Sequence, residues 1–330
     1  MSRFLVTGGT GQIGSYVCRE LVHRGYFVAA FDELPNMENV SEISGSVTLV
    51  KGDIANASEL NAAVKAHRIT HIVHLAALLL LESRGRPCRA TEVNCLGTNH
   101  VFEAARLFDL EGVAYASSEV VYGPPTSYAQ PQVDEETAPA CPPEPYHLSK
   151  LFTEGMGAFY RRAYGLNIVC LRLTGAWGPG RYTGYTGQFN AFIRDVALGR
   201  ASRYPEDFAY RGAKLRYLYV KDAARAFVHA VLSAKELRMP LYNVGSKKAY
   251  NCLDVMRALK EVVPDARVEL QVLERPTQTS LTTPGPAGLD VNCSKFFEEA
   301  GFEQEFDLER ALRDMVYYER AKGRSAPQPG

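Results

Sequence analysis

The stretch TGGTGQIG, residues Thr7 to Gly14, decides the fold of this 330-residue chain. It follows the apolar run RFLV, which is typical of a buried strand, and it precedes a segment whose apolar spacing predicts a helix. Three glycines at this spacing permit a tight turn and close approach of the backbone to a pyrophosphate, which the free N–H groups of the helix start would bind. The stretch therefore predicts a dinucleotide-binding turn. The residues that we expect to contact the dinucleotide here are Gly8, Gly11, Gln12 and Ile13.

An acidic residue, Asp32, ends the second predicted strand, FVAAFD. A carboxylate at this place accepts hydrogen bonds from both ribose hydroxyls and repels a 2′-phosphate. The sequence therefore predicts NAD rather than NADP as the cofactor. A strand–helix turn without a ligand is the alternative interpretation, but it leaves the pairing of the glycines with Asp32 unexplained.

The next two strand ends carry further candidate cofactor contacts. Asp53 follows the third strand, where its carboxylate would bind the adenine ring or, equally well from spacing alone, cap a helix or turn. Small residues in HLAA would let the dinucleotide pass close to the backbone. His71 and His74 flank this strand without a cluster of cysteines or carboxylates, so we expect no metal. The expected contacts in this region are Asp53, Ile54, Leu75, Ala76 and Ala77.

Strand and helix patterns alternate along the chain, and the strands are apolar on both faces. That pattern predicts an α/β fold with a doubly wound parallel sheet, the Rossmann fold. We expect residues 1–172 to form the NAD-binding domain, with a returning segment at about 213–247. Residues 173–330 would form a smaller, interleaved substrate lobe. In this part GAWGPGRYTGYTGQF, residues 175–189, is rich in glycine and is expected to be a long loop.

The bulk composition excludes several classes of protein. Lys plus Arg and Asp plus Glu both number 37, so the charge balance gives no support for nucleic-acid binding. No apolar run reaches transmembrane length, and we expect no membrane association. Seven cysteines without a CxxC motif suggest free thiols in a reducing compartment, which predicts a cytoplasmic protein.

A tyrosine and a lysine meet in the stretch CPPEPYHLSK, residues 141–150. The prolines predict a loop that ends where a helix begins, near Tyr146, and positions i and i+4 place Lys150 on the same face. Taken alone, the pair could be two surface residues of a solvated helix. A neighbouring ammonium, however, would stabilise the phenolate of Tyr146 and turn a poor base into a useful one. A second stretch, SSEVVYG from Ser117, follows the fifth strand at the sheet edge where ligands bind.

Together, TGGTGQIG, SSEVVYG, YHLSK and LRLTGAWGPG resemble the extended short-chain dehydrogenase/reductase family, the NAD-dependent sugar epimerases and dehydratases. The resemblance covers nearly the whole chain. It implies that Ser118 holds the substrate hydroxyl, Tyr146 transfers its proton and Lys150 assists Tyr146 and binds the cofactor. It also implies that Asn94 bends the helix behind the site, beside the cofactor, and that Arg216 holds a diphosphate.

The resemblance is incomplete near the expected substrate. Gly175 replaces the asparagine of the nucleotide-sugar enzymes and looks more like the threonine dehydrogenase branch. Glu119 is followed by Val120, which disfavours the 4,6-dehydratase chemistry. Arg216, Arg275 and Lys295 nevertheless match cations of the nucleotide-sugar branch. The expected substrate contacts are Leu79, Ser118, Glu119, Gly175, Arg181, Arg216 and Arg275.

Three functions remain open at this point. The first is an epimerase that oxidises a ring hydroxyl of a nucleotide-activated sugar and then returns the hydride. The second is a net dehydrogenase of a small hydroxy compound, and the third is a non-catalytic NAD-binding regulator. The resemblance also implies a homodimer, formed by the helix from Glu92 to Phe108 and the helix from Tyr146.

Overall fold

The computed structural model describes residues 2–130, 132–274 and 289–325. Its strands are β1 (Arg3–Thr7), β2 (Phe27–Asp32), β3 (Thr48–Lys51), β4 (His71–His74), β5 (Gly112–Ser118), β6 (Gln132–Val133), β7 (Ile168–Leu173), β8 (Ala176–Trp177), β9 (Ser202–Arg203), β10 (Leu218–Tyr219), β11 (Leu241–Val244), β12 (Val268–Glu269) and β13 (Asp290–Val291). Its α-helices are α1 (Gln12–His23), α2 (Met37–Val40), α3 (Ala57–Ala66), α4 (Leu80–Gly85), α5 (Pro87–Ala90), α6 (Thr98–Leu107), α7 (Pro145–Tyr164), α8 (Tyr185–Ala197), α9 (Val220–Leu232), α10 (Cys252–Val262), α11 (Ser294–Glu298) and α12 (Leu308–Ser325).

Seven of the described strands form one parallel sheet in the order β11-β7-β5-β4-β1-β2-β3. The chain starts in β1, builds outward through β2 and β3, and then returns to the other side of β1 with β4. This change of direction between β1 and β4 creates the crevice at the carboxyl ends of the strands where ligands bind in such sheets. The predicted doubly wound parallel sheet is confirmed.

Helices cover both faces of this sheet. On one face α1 and α9 bury Val17, Leu21, Phe227 and Val231 against the strands. On the other face α3, α6 and α7 bury apolar side chains against the strands, and every residue of β7 is buried. Strands that are covered on both sides must be apolar on both sides, which is why alternation is missing from their sequences.

A second apolar cluster joins α8, α10 and α12 around Trp177. The helix α12 also connects this cluster to the rest of the chain. Its Asp314 accepts hydrogen bonds from Tyr219 and Lys221. Its Lys322 forms an ion pair with Glu38, which lies beyond the end of β2. β11 lies in the main sheet, and α9 packs on it. The division into domains, including the returning segment, stays a prediction.

Two expected elements differ from the sequence pattern. The single regular helix expected from Glu92 to Phe108 is a π-helical turn at Thr91–Gly97 that is followed by α6. The long loop expected over residues 175–189 is wrong at both ends, since β8 lies in it and α8 begins at Tyr185. Phe189, Phe192 and Ile193 are buried against the second cluster, and this packing outweighs the glycines that favoured a loop. No helix in the described residues combines the length and the apolar character that a membrane span needs.

An ion pair is buried between α7 and the sheet. Arg172 of β7 donates to both carboxylate oxygens of Glu154, at 2.8 and 2.7 Å, and each side chain is only 6% exposed. Ser117 donates to the same carboxylate, and Arg172 also donates to the hydroxyl of Tyr122. The network fixes α7, which carries Tyr146 and Lys150, against β5 and β7.

Removing the charge of one partner of this ion pair should lower the stability of the protein. Glu154→Gln keeps the shape but leaves Arg172 buried without its counter-charge, so we expect the free energy of unfolding to fall by about 3 kcal/mol. Urea unfolding followed by circular dichroism measures the change. The control is Glu309→Gln, which breaks the exposed pair of Glu309 with Arg313 on α12 and should cost less than about 0.5 kcal/mol. If Glu154→Gln and Glu309→Gln lowered the free energy of unfolding equally, this prediction would be wrong.

Candidate active site

The glycine turn after β1 forms a cradle of bare backbone. Gly8 has φ +64°, and a Cβ on it would lie 2.9 Å from the backbone nitrogen of Ala76. A Cβ on Gly14 would lie 2.1 Å from the carbonyl oxygen of Gly8. The turn thus brings Gly8 beside Leu75 and Ala76, and α1 begins directly after it at Gln12. A cradle of this kind, which any side chain would fill, fits the pyrophosphate of a dinucleotide.

Asp32 lies beside this cradle, at the end of β2. One of its oxygens accepts hydrogen bonds from the backbone nitrogen and the hydroxyl of Thr10, at 3.1 and 2.7 Å. The other accepts from the backbone nitrogen of Leu34 at 3.2 Å. These bonds fix the carboxylate in position, and its partial exposure leaves lone pairs for ribose hydroxyls. The role of Thr10 was missed because the turn motif specifies only its glycines.

Asp53 has more partners than the sequence suggested. One of its oxygens accepts from the backbone nitrogen of Ala55, and the other pairs with Arg89 at 2.5 Å. Arg89 also reaches Glu33 at 3.2 Å, so it spans the ends of β2 and β3. Ile54 is buried beneath Gly97. A contact of Asp53 with adenine stays a prediction, and Arg89 could not be inferred from its isolated place in the sequence.

The two histidines of β4 are held by threonines. His74 lies between the hydroxyls of Thr7, at 2.6 Å, and Thr98, at 2.9 Å. Thr98 donates its own proton to a backbone carbonyl, so it accepts from Nε2 of His74, whose Nδ1 then accepts from Thr7. Burial lowers the pKa of His74 to about 3, which keeps it neutral. Among the described residues no group of His, Cys, Asp and Glu could hold a metal ion.

Asn94 lies in the π-helical turn behind the site. Its side-chain oxygen accepts from the backbone nitrogen of Leu78, and its amide donates to the carbonyl of the same residue, at 2.8 and 2.9 Å. The amide also reaches the hydroxyl of Ser149 on α7, at 3.3 Å. Asn94 therefore links the segment after β4 to the residue that precedes Lys150. Its predicted contact with the cofactor stays a prediction.

Ser118, Tyr146 and Lys150 meet at the carboxyl edge of β5. Pro145 takes the first position of α7, so Tyr146 and Lys150 lie in the first two turns. Nζ of Lys150 lies 5.5 Å from the centre of the Tyr146 ring and donates to the carbonyl of Ala116 at 2.6 Å. The hydroxyl of Tyr146 is hydrogen-bonded to Ser118. The structure thus assembles the three residues that the sequence singled out.

The charges around this group set its chemistry. Removal from water raises the pKa of Tyr146 to about 12, although the charge of Arg181 and the hydrogen bond to Ser118 pull it down. Burial lowers the pKa of Lys150 to about 8, and Glu154 is among the groups that oppose this shift. Tyr146 is therefore protonated at rest, and additional positive charge near it would favour the phenolate.

The segment 178–184 passes over the start of α1. Gln12 donates to the carbonyl of Gly178 at 2.7 Å, and Asn39 donates to the carbonyl of Gly180 at 3.5 Å. Tyr182 is hydrogen-bonded to Glu319 of α12. Arg181 reaches Thr186 at 2.5 Å, but its buried Nε has no hydrogen-bond partner among the described residues, and its charge acts on Tyr146.

The other residues that we predicted to be near the substrate differ in the partners that they already have and in their exposure. Arg216 is already bonded to Asp290 at 2.7 Å and to two backbone carbonyls, and Lys295 pairs with Glu136 at 2.9 Å. Arg275 lies outside the described residues. Leu79 is partly exposed at the start of α4. Of the predicted cations that the structure describes, only Arg181 combines closeness to Tyr146 with a donor that has no partner.

The fold and this site define an enzyme that uses a nicotinamide dinucleotide. A family model described as the NAD dependent epimerase/dehydratase family matches residues 4–245. The chain belongs to the NAD-dependent epimerase/dehydratase family, and its cofactor is NAD, as predicted.

Three relatives illustrate the similarity. The UDP-glucose 4-epimerase of Mus musculus is 28% identical over 347 residues and covers 97% of each chain. The structure of a UDP-glucose-4-epimerase from Stenotrophomonas maltophila, with bound NAD and formylated UDP-arabinopyranose, is 26% identical. It superimposes with a TM-score of 0.81 over 99% of this chain and 100% of that one. The L-threonine dehydrogenase of Clostridium difficile has the same TM-score over 98% and 99% of the chains, but its 22% identity supports the fold alone.

Proposed function

We propose that this enzyme is an epimerase that acts on a nucleotide-activated sugar through transient oxidation of a ring hydroxyl to a ketone. The assembled group of Ser118, Tyr146 and Lys150 beside the glycine cradle carries the proposal. The similarity to UDP-glucose 4-epimerases over nearly the whole chain supports the choice of substrate class.

The side chains have separate tasks in this reaction. Ser118 holds the substrate hydroxyl, and Tyr146 removes its proton as a general base. Lys150 adds positive charge beside the ring, which favours the phenolate that the proton transfer needs. Bound NAD supplies the acceptor and, later, the donor of a hydride. The network of Glu154 and Arg172 holds α7 in place throughout.

The recognition of a diphosphate depends on fewer cations than the sequence indicated. Arg216 and Lys295 already have carboxylate partners, which a phosphate would have to displace. Arg181, whose Nε lacks a hydrogen-bond partner among the described residues, is the better candidate for a charge-assisted hydrogen bond to the substrate.

A net dehydrogenase of a small hydroxy compound is the second candidate. The observation that favours it is Gly175, which has φ +113° and lies against the ring of Tyr217, so no side chain at this position can bind a sugar. Arg181 would then bind a carboxylate. A non-catalytic regulator is the weakest candidate, because it has no physical need for the group at Ser118, Tyr146 and Lys150.

An assay without added cofactor separates the two enzymatic proposals. An epimerase keeps its reduced cofactor until the hydride returns, whereas a dehydrogenase releases it in every turnover. We expect UDP-, GDP- or dTDP-sugars to be isomerised without growth of NADH absorbance, and Tyr146→Phe serves as the inactive control. Steady NADH formation from a small hydroxy acid or amino acid with excess NAD⁺, with every nucleotide sugar unchanged, would overturn the epimerase.

We also propose a homodimer and a cytoplasmic location. Several large apolar side chains on and next to α6 and α7 are exposed, as an interface between copies would require. They are Leu96, Leu107, Leu148, Phe152, Phe159 and Tyr164. Light scattering of the purified protein decides between monomer and dimer. All seven cysteines are free thiols, which suits a reducing compartment, and imaging of a tagged protein tests this.

A further inference from the structure

Arg89 lies at the centre of a charged network beyond the ends of β2 and β3. It donates to Asp53 at 2.5 Å, to Glu33 at 3.2 Å and to Glu92 at 3.3 Å. These partners belong to three segments, because Glu33 follows β2, Asp53 follows β3 and Glu92 lies in the π-helical turn. Partly exposed ion pairs add little to the stability of a protein, so the gathering of three carboxylates around one arginine indicates a task in binding.

A cavity of about 620 Å³ opens beside this network. It lies between the start of α3 and the first part of α6, and its lining includes Asp53, Arg89, Leu96 and His100. Nδ1 of His100 is hydrogen-bonded to the carbonyl of Ile54 at 2.9 Å, which fixes the backbone next to Asp53. A ligand that enters the cavity can therefore reach both the carboxylate of Asp53 and the guanidinium of Arg89.

The charges of the network favour a ligand group that donates hydrogen bonds. Three carboxylates surround one guanidinium, and their excess negative charge would repel a phosphate or a carboxylate. An ionised carboxylate such as that of Asp53 can only accept hydrogen bonds. The matching donor on the adenine ring of NAD is its exocyclic 6-amino group. The wall of the cavity at Asp53 therefore suits this edge of adenine.

Arg89 fixes the orientation of the Asp53 side chain. One oxygen of Asp53 accepts from the backbone nitrogen of Ala55 at 2.9 Å, and the other accepts from Arg89. With both oxygens held, the carboxylate cannot rotate, yet each oxygen retains a lone pair for a ligand. Without Arg89, the charges of Glu33 and Glu92 would repel Asp53, and the bond to Ala55 would not fix its second oxygen.

We infer that Arg89 is a positioning residue for the cofactor, which holds the carboxylate of Asp53 in the orientation that accepts a hydrogen bond from the 6-amino group of adenine. Arg89 thereby makes the enzyme select adenine over a base that carries an oxygen at this place. The inference requires the predicted contact of Asp53 with adenine. It does not depend on whether the enzyme is an epimerase or a dehydrogenase, because both use NAD.

Competitive binding of NAD and nicotinamide hypoxanthine dinucleotide tests the inference without any substrate. The analogue has a carbonyl oxygen in place of the 6-amino group, and a fixed carboxylate repels this oxygen. The wild-type protein should bind NAD about 10- to 100-fold more tightly than the analogue. Arg89→Met keeps an apolar stem but removes the guanidinium, so it should lower this preference by about 10-fold.

A second variant and a control separate positioning from mere structural support. Asp53→Asn offers both a donor and an acceptor, so it should bind either base and lose the preference as well. Because Arg89 acts through Asp53, the double variant should be no less selective than the weaker of the two single variants. The matched control is Arg84→Met, since Arg84 on α4 also pairs with a carboxylate, that of Glu144 at 2.8 Å. It should leave the preference for NAD unchanged.

Four results would overturn the inference. The first is a wild-type protein that binds the two dinucleotides equally, and the second is an Arg89→Met protein that is as selective as wild type. The third is a variant that weakens both dinucleotides to the same extent, which would give Arg89 a structural role alone. The fourth is an additive loss of selectivity in the double variant. Failure of the proposed function appears separately, as a wild-type enzyme that leaves every nucleotide sugar unchanged.

Discussion

Tyr146→Phe lowers turnover by about two to four orders of magnitude, the usual contribution of a general acid–base residue. The substitution removes only the hydroxyl that is hydrogen-bonded to Ser118. The ring stays in the first turn of α7, and Nζ of Lys150 keeps its bond to the carbonyl of Ala116. Single-turnover and steady-state rates measure the loss, and calorimetry should find NAD binding within a few fold of wild type.

Tyr164→Phe is the matched control, because Tyr164 lies at the other end of α7 and is half exposed. It should leave turnover unchanged. A Tyr146→Phe enzyme as fast as wild type would show that another group transfers the proton. A variant that loses NAD binding together with activity would instead assign Tyr146 a role in holding the cofactor.

NADP(H) should bind about 100-fold more weakly than NAD(H), since a carboxylate beside a 2′-phosphate is strongly repulsive. Asp32 cannot turn away easily, because Thr10 and the backbone of Leu34 hold both of its oxygens. Asp32→Ser removes the charge and retains a hydroxyl for the ribose. We expect this variant to bind the two cofactors within about 10-fold of each other, as measured by calorimetry.

The control for this prediction is Glu33→Gln, which neutralises the next residue in the chain. Glu33 is bound to Arg89 and is more exposed than Asp53, the other partner of that arginine, so its loss should leave the preference for NAD nearly intact. Equal affinities of the wild-type enzyme for the two cofactors would mean that Asp32 does not face the adenosine ribose.

Local rules in the sequence were sufficient for the parts of the site that depend on short segments. Glycine spacing predicted the cradle, and Pro145 with the i, i+4 spacing predicted the shared position of Tyr146 and Lys150. The doubly wound sheet followed from apolar runs that alternate with helical patterns. The glycine turn and the start of α7 are each encoded in a short segment, and the sheet follows from a series of such local patterns along the chain.

Contacts between distant segments could not be predicted in this way. Arg216 was expected to be available for a diphosphate, but Asp290, 74 residues later, already binds it. Arg89 joins Asp53 and Glu33 across the ends of two strands, and no local pattern marks it. The helix α8 was missed because its glycines suggested a loop, while the apolar partners that stabilise it come from other parts of the chain.

The attachment of α12 has a consequence for the synthesis of the protein. Lys322 pairs with Glu38, which it follows by 284 residues (322 minus 38), and Asp314 binds Tyr219 and Lys221. The ribosome takes about 20 to 60 s to synthesise residues 1–322, and these closing contacts cannot form before that time. Until then the apolar face that α12 covers on α8 and α10 is open to other nascent chains. Folding in the cell should therefore depend on chaperone protection of this face until α12 has been synthesised.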